Sequence, residues 1–260
     1  MYAFDVETPS SVAEAVAALK DEEATALGGG QTLIPTLKQR LAAPEKLVSL
    51  SGIADMKGIS KEDGVLTIGG ATTHAEVAAQ GDFPALAALA GNIGDPAVRN
   101  RGTIGGSLAN NDPSACYPSA VLGTGATIVT NTREIAADDY FQGMFTTALE
   151  DGEIITAVKF PIPEAASYQK FDQPASRFAL VGVFVGKTAD GVRVAVTGAS
   201  EEGVFRWTEA EAALNKEFRS DALMDLNINA MNMIGDLHGT KEYRAHLVKV
   251  MTRRAINAIG

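Results

Sequence analysis

The sequence predicts a mixed α+β protein: a small N-terminal α/β unit with parallel strands, a larger mixed region, and a small C-terminal α+β domain. Three observations carry this. Strand and helix signals alternate from Phe4 to Leu50, as parallel strands joined by helices require. Between two apolar segments, Gly94 to Pro118 (GDPAVRNRGTIGGSLANNDPSACYP) concentrates Gly102, Gly105, Gly106, Asn100, Asn110 and Asn111. That mix suits a tightly folded backbone approaching a ligand better than a regular helix or strand. Around Pro161 and Pro163 the pattern changes to paired β-rich runs followed by helical periodicity. The main boundary is therefore expected at 160/161, giving domains 1–160 and 161–260, the first with subdomains of about 1–55 and 56–160.

Each element has a local reason. Phe4 to Pro9 reads as a short entry strand. Ser11-Val12-Ala13-Glu14 fits a capping box, and Val12, Val16 and Leu19 recur at helical spacing, so a helix to about Lys20 follows. Thr25 to Leu27 is a brief strand running into Gly28-Gly29-Gly30. Leu33, Leu37 and Leu41 mark a second helix with Pro35 admissible in its first turn, and Leu47 to Leu50 is a third strand. Val65 to Ile68 is a strand ending in Gly69-Gly70, Thr73 to Glu76 is a second capping box, and Phe83 to Ile93 is helical. Ala126 to Thr130 and Arg133 to Ile135 form a hairpin around Asn131, and Glu153 to Phe160 is a strand. Further on, Phe178 to Lys187 and Val192 to Gly198 pair through Ala189-Asp190-Gly191. Glu209 to Leu214, Ser220 to Met233 and Lys241 to Ile259 read as helices.

Composition narrows the function classes. A net charge of −10 argues against nucleic acid or anionic membranes as partners. An anionic ligand would have to be held by backbone dipoles and a few cations. One cysteine, Cys116, excludes an internal disulfide, a self-contained iron–sulfur cluster and a multi-cysteine zinc site. The histidines His74, His238 and His246 give no HxxxH pair, so no metal site is expected on the chain. The N-terminal MYAFDVETPS lacks the regions of a signal peptide and no apolar run is long enough to span a bilayer, so a cytoplasmic location is expected.

The chemistry is concentrated in two glycine motifs. Gly28-Gly29-Gly30-Gln31-Thr32 follows a strand and precedes a helix, where N–H groups and the helix dipole favour a phosphate. Its spacing fits neither the Rossmann nor the Walker fingerprint, and taken alone it reads equally as a turn packing a helix on a strand. Thr103-Ile104-Gly105-Gly106-Ser107 offers the same chemistry. Together, with hydroxyl donors at Thr32, Thr103 and Ser107, the motifs point to a dinucleotide whose pyrophosphate is held from both sides. His74, one residue past a capping threonine, reads as a local polar contact rather than a catalytic base, and no catalytic residue is assigned.

Leu27 to Pro35 (LGGGQTLIP), Arg99 to Leu108 (RNRGTIGGSL) and Asn111-Asp112-Pro113 resemble the flavin-binding medium subunit of molybdenum hydroxylases. That family includes aerobic carbon monoxide dehydrogenase and bacterial xanthine dehydrogenase. The resemblance extends along essentially the whole chain, through Glu242-Tyr243-Arg244. It implies the vanillyl-alcohol-oxidase type of FAD-binding fold, in which a small α/β subdomain and a larger mixed one hold non-covalent FAD beside a C-terminal domain. By the same resemblance Gly28, Gly29, Gly30, Gln31, Thr32 and Leu33 wrap the pyrophosphate together with Thr103, Gly105, Gly106 and Ser107. Asn110 matches a hydroxyl-bearing position near the pyrophosphate in xanthine-oxidising relatives. Cys116 falls where many members carry an acidic residue near the ribose; a small buried filler is the competing reading. Lys170 resembles a lysine near the flavin ring, where a cation stabilises the anionic reduced form, against a solvated surface lysine. Phe178 aligns with a tyrosine near the isoalloxazine in carbon monoxide dehydrogenases, against a core phenylalanine at a strand start. Arg99 and Asn100 are read as shaping the loop.

The family implies a heterotrimer, dimerised to a heterohexamer. A large subunit oxidises substrate at a molybdenum cofactor, a small subunit carries two 2Fe–2S clusters, and the medium subunit passes electrons through FAD to quinone, oxygen or NAD. Two other readings stay open: a stand-alone FAD-dependent oxidoreductase of the same fold, and a non-enzymatic assembly protein that keeps the fold without FAD. A benzoyl-CoA-reductase-like subunit with an extra 4Fe–4S cluster is excluded by the single cysteine.

Overall fold

The computed structural model describes residues 1–259. Its N-terminal unit runs β1 (Asp5–Glu7), α1 (Val12–Ala18), β2 (Ala24–Leu27), α2 (Leu33–Lys38) and β3 (Lys46–Ser49). The strands form a parallel sheet of order β1-β3-β2, as the alternating pattern predicts. Ser11 caps α1 by accepting from the Glu14 N–H at 3.2 Å, but the Glu14 carboxylate reaches back to the Ser10 N–H at 2.8 Å. The expected box therefore closes one residue early. Helix α2 is shorter than the leucine spacing suggests. Arg40 takes φ 60°, and the N–H groups of Arg40 and Leu41 return to Leu37 and Thr36, a Schellman closure that leaves Leu41 outside and 74% exposed.

The mixed unit opens with the hairpin β4 (Ile59–Glu62) and β5 (Val65–Gly69), whose turn residues Asp63 and Gly64 both have positive φ. Helices α3 (His74–Ala79), α4 (Pro84–Gly91), α5 (Pro96–Arg99), α6 (Ile104–Asn110) and α7 (Tyr117–Thr124) follow. Then come β6 (Thr127–Thr130), β7 (Glu134–Ala136), α8 (Ala137–Tyr140), β8 (Phe141–Gly143), β9 (Thr146–Thr147) and β10 (Ile155–Pro161). A five-stranded antiparallel sheet, β4-β5-β10-β6-β7, buries Leu66, Ile68 and Phe160 against Leu86, Ile104 and Tyr117. The glycine stretch departs from expectation here: it is helical over α5 and α6, and Gly105 and Gly106 lie in the first turn of α6. Thr103 caps that turn by accepting from the Gly106 N–H.

The C-terminal unit consists of β11 (Ala165–Asp172), β12 (Ala179–Thr188), β13 (Gly191–Ser200), β14 (Gly203–Arg206), α9 (Thr208–Lys216) and α10 (Lys241–Ile259). Strand β12 is apolar without alternation because both its faces are covered. Val181, Val183 and Val185 pack with Val248 and Met251 of α10, while Phe184 joins the core of the mixed unit. The predicted helix Ser220 to Met233 does not form beyond one 3-10 turn at Ser220–Leu223. Asn229 bonds the Met231 N–H instead, and the Ile234 N–H donates to Ala199 O at the end of β13. Local asparagine bonding and strand pairing outcompete a weak helix there.

Candidate cofactor site

A cavity of about 670 Å³ opens between the three units. The β2–α2 loop supplies Gly28, Gly29, Gly30, Gln31, Thr32 and Leu33 to its wall. Helix α6 and its cap supply Thr103, Gly105, Gly106, Ser107 and Asn110. Cys116, Lys170 and Phe178 complete the set, so every residue that the sequence assigns to cofactor binding lines this one space, while Arg99 and Asn100 stand outside it.

The two glycine motifs touch. A Cβ on Gly28 would stand 3.1 Å from Thr103 Oγ1 and 3.7 Å from Gly106 Cα, and one on Gly29 would stand 2.0 Å from Arg101 O. Side chains at these positions would push the two units apart. Hydrogen-bond accounting then separates the motifs. The backbone N–H groups of Gly29, Gly30, Gln31, Thr32 and Leu33 have no acceptor within the described chain. Gly30, at φ 73°, turns this run into a concave array of donors of the kind that holds an anion. In the second motif the donors are mostly spent: Ile104 on Thr72 O at 3.1 Å, Gly105 on Gly70 O at 2.9 Å, and Gly106 on Thr103 Oγ1 at 3.2 Å. Gly105 is buried against the β5 end, whereas Gly106 is exposed to the cavity.

Lys170 on β11 is not a solvated surface lysine: its side chain is 1% exposed. Nζ donates to Asn92 O at 2.7 Å, pairs with Asp172 at 2.9 Å and lies 3.8 Å from Cys116 Sγ. Burial raises the Cys116 pKa and the nearby ammonium only partly offsets this, so the group stays a thiol. Phe178 is not in the core; its ring, 49% exposed, stands at the cavity just before β12. Arg99 Nη1 clasps Ile93 O and Gly94 O and so shapes the wall formed by that turn.

Two further wall residues carry perturbed groups, His74 and Glu153, and the local polar contact that the sequence suggests for His74 does not form, since its Nδ1 has no hydrogen-bond partner. His74 is buried, and burial together with the Arg99 charge lowers its pKa to about 4. Glu153 accepts from Arg133 Nε and Nη2, both at 2.9 Å, and from Thr132 Oγ1 at 2.6 Å, which holds its pKa at about 2. The Gly69-Gly70 pair ahead of Thr73-His74 was the available signal for the first; nothing local marks the second.

Comparison with known proteins matches residues 2–163 to the family described as the FAD binding domain in molybdopterin dehydrogenase. Residues 166–259 match the CO dehydrogenase flavoprotein C-terminal domain. The carbon monoxide dehydrogenase medium chain of Afipia carboxidovorans is 34% identical, over 97% of this chain and 95% of that one. The nicotine 6-hydroxylase medium subunit of Paenarthrobacter nicotinovorans is 33% identical, over 97% and 96%. Among solved structures, the Cu,Mo-CO dehydrogenase in its cyanide-inactivated form superposes with a TM-score of 0.90 at 32% identity, covering 98% of this chain and 97% of that one.

Proposed function

This chain belongs to the FAD-binding family of molybdopterin dehydrogenases, as an oxidoreductase subunit, and on that premise we propose that it relays electrons through FAD within a molybdenum hydroxylase. The observation that carries the reading is the run of free N–H groups from Gly29 to Leu33 at the wall of a dinucleotide-sized cavity. The residues present fit FAD: glycines give close backbone approach where any Cβ would collide, and hydroxyls of Thr32, Thr103 and Ser107 stand beside them.

The cofactor supplies the redox step itself, and the protein supplies binding, orientation and electrostatics. The β2–α2 loop holds the pyrophosphate by its free donors. Gly28 and Gly106 keep the passage open, and Ser107 and Asn110 add polar contacts from α6. Lys170 would bring a positive charge that favours the anionic reduced ring and Phe178 would offer a face for stacking, while Cys116, a buried thiol, acts as an unreactive filler of the wall. In such an assembly a small partner subunit would carry two 2Fe–2S clusters as electron donors, a large one would carry the molybdenum cofactor, and quinone, oxygen or NAD would be the external acceptor. The assembly is a heterotrimer dimerised to a heterohexamer, and its location is cytoplasmic. The working division falls at 160/161, supported by family matches that end at 163 and begin at 166.

The test is an absorption spectrum of the purified chain, with its cofactor released by heat and identified. Stoichiometric, non-covalent FAD is expected, bleached on anaerobic mixing with the reduced iron–sulfur partner. A colourless protein that refuses added FAD would overturn the proposal and favour an assembly role.

A further inference from the structure

The mixed unit buries an imidazole that its packing does not need. His74, the first residue of α3, is 5% exposed and lines the cavity. Its Nδ1 is enclosed without a hydrogen-bond partner. The nearby Tyr117 ring, 5.3 Å away, offers no help, because its hydroxyl is unpaired as well. An aliphatic side chain would fill the same space without burying an unmatched polar atom, so the histidine is an exception that calls for a reason.

The surroundings supply one. The ring lies against Gly102, where a Cβ would come within 2.6 Å of His74 Nε2. Gly102 Cα in turn is 2.6 Å from the place where a Cβ on Gly29 would stand. His74, Gly102 and Gly29 thus form one continuous piece of wall, beside the run of free backbone donors. Burial keeps the ring neutral at neutral pH. A neutral imidazole carries one proton, and an N–H buried without an acceptor is less tolerable than a bare lone pair. With Nδ1 enclosed and unpartnered, the proton belongs on Nε2.

We propose, on the FAD reading above, that His74 is a cofactor-binding residue whose Nε2–H donates to an acceptor oxygen of FAD beside Gly102 and Thr103. The cofactor then completes the hydrogen bonding that the chain alone leaves open, and glycine at 102 makes room for the ring to reach it.

The experiment titrates FAD onto apoprotein of wild type, His74→Leu and His74→Gln, and records thermal unfolding of the three apo forms. Leucine should weaken FAD binding about tenfold, the value of one hydrogen bond, while the apo Tm stays equal or rises. Glutamine, whose amide nitrogen can stand near the Nε2 position, should retain most of the affinity. Titration with ADP locates the acceptor: a similar loss marks the pyrophosphate, and a loss confined to FAD marks the ribityl–flavin half. Leucine binding FAD as tightly as wild type would overturn the proposal. So would weaker binding with a lowered apo Tm in both variants, since the ring would then be packing support. Wild-type protein that takes up no FAD would overturn the FAD reading, and this assignment with it.

Discussion

Gly105 and Gly106 are neighbours in sequence, yet the structure gives them opposite jobs, which single alanines should separate. A Cβ on Gly105 would stand 2.6 Å from Gly70 O and 3.0 Å from Gly70 Cα. Gly70 cannot retreat: its N–H donates to Thr156 O at 2.8 Å, and its own Cα is pressed so closely on Ile155 that a Cβ would stand 2.1 Å from that carbonyl. Overpacking costs about 1–3 kcal/mol, and a 2.6 Å approach to a backbone carbonyl that cannot retreat falls in the upper part of that range, about 2–3 kcal/mol. Alanine returns about 1 kcal/mol by its better helix propensity. The net loss of roughly 1–2 kcal/mol corresponds to a Tm lower by roughly 2–8 °C at 2–4 °C per kcal/mol. At Gly106 the new methyl would meet only Thr103 Oγ1, at 3.0 Å, and would otherwise project into the cavity. Apo stability should stay within about 0.5 kcal/mol there, because the propensity gain offsets the contact. FAD affinity should fall at least tenfold, as the glycine passage is filled. Differential scanning fluorimetry of the apo forms with FAD titration reads both quantities. Gly105→Ala with an unchanged Tm, or Gly106→Ala with unchanged FAD affinity, would refute the division.

Three further outcomes follow from charges held in place. Glu153, with pKa about 2 against 4.5 unfolded, contributes stability that is present above pH 4.5 and lost as pH falls through 2. Between pH 7 and pH 3 wild type should therefore lose about 2 kcal/mol more than Glu153→Gln in urea unfolding, and equal losses would contradict the pairing with Arg133. Lys170→Met removes a buried cation from the cavity wall, where Arg177 is the other, and leaves Asp172 unpaired, so the flavin midpoint potential should fall by about 30 mV, one decade for a two-electron couple. Spectroelectrochemistry showing no change would place Lys170 away from the ring. Arg244, 2% exposed, donates to Leu180 O and Gly198 O at 2.8 Å and pairs with Asp236 at 2.7 Å. Arg244→Leu should cost about 3 kcal/mol and roughly 6–12 °C in Tm, and lysine should not rescue it, because one ammonium cannot reproduce the planar fork.

Local signals in the sequence were read well where local physics decides. The box at Thr73 closes with both arms, and the Asn131 hairpin and α10 form where the pattern puts them. Misreadings arose where distant partners decide. The glycines of α6 were read as loop formers on intrinsic grounds. Position 105 is glycine within a helix because Gly70 leaves no room for a Cβ there, and that steric demand across the fold outweighs the propensity penalty of about 1 kcal/mol.

The same distinction explains why the cavity-lining residues are easier to read from the sequence than their hydrogen bonding. Residue type marks a position that must be small or polar, and that much is written in one dimension. Which N–H groups are free is not. The donors of Ile104 and Gly105 are consumed by Thr72 and Gly70; the sequence pattern places Gly70 at a strand end and does not single out Thr72. The run of free donors therefore lies in the first motif, and the second packs against it. The C-terminal unit reaches the cavity through a comparable relay. Arg244 holds Gly198 O, the Gly198 N–H donates to Pro113 O at 2.7 Å, and Thr197 Oγ1 donates to Ala115 O at 2.7 Å, next to Cys116. Strand β11 of the same sheet carries Lys170 into the wall. A change at Arg244 should thus be felt at the cavity as well as in the C-terminal core. In Arg244→Leu protein held well below its Tm, FAD affinity should drop while Gly29 to Leu33 remain intact, and an unaltered affinity would mean that the cavity is set by the first two units alone.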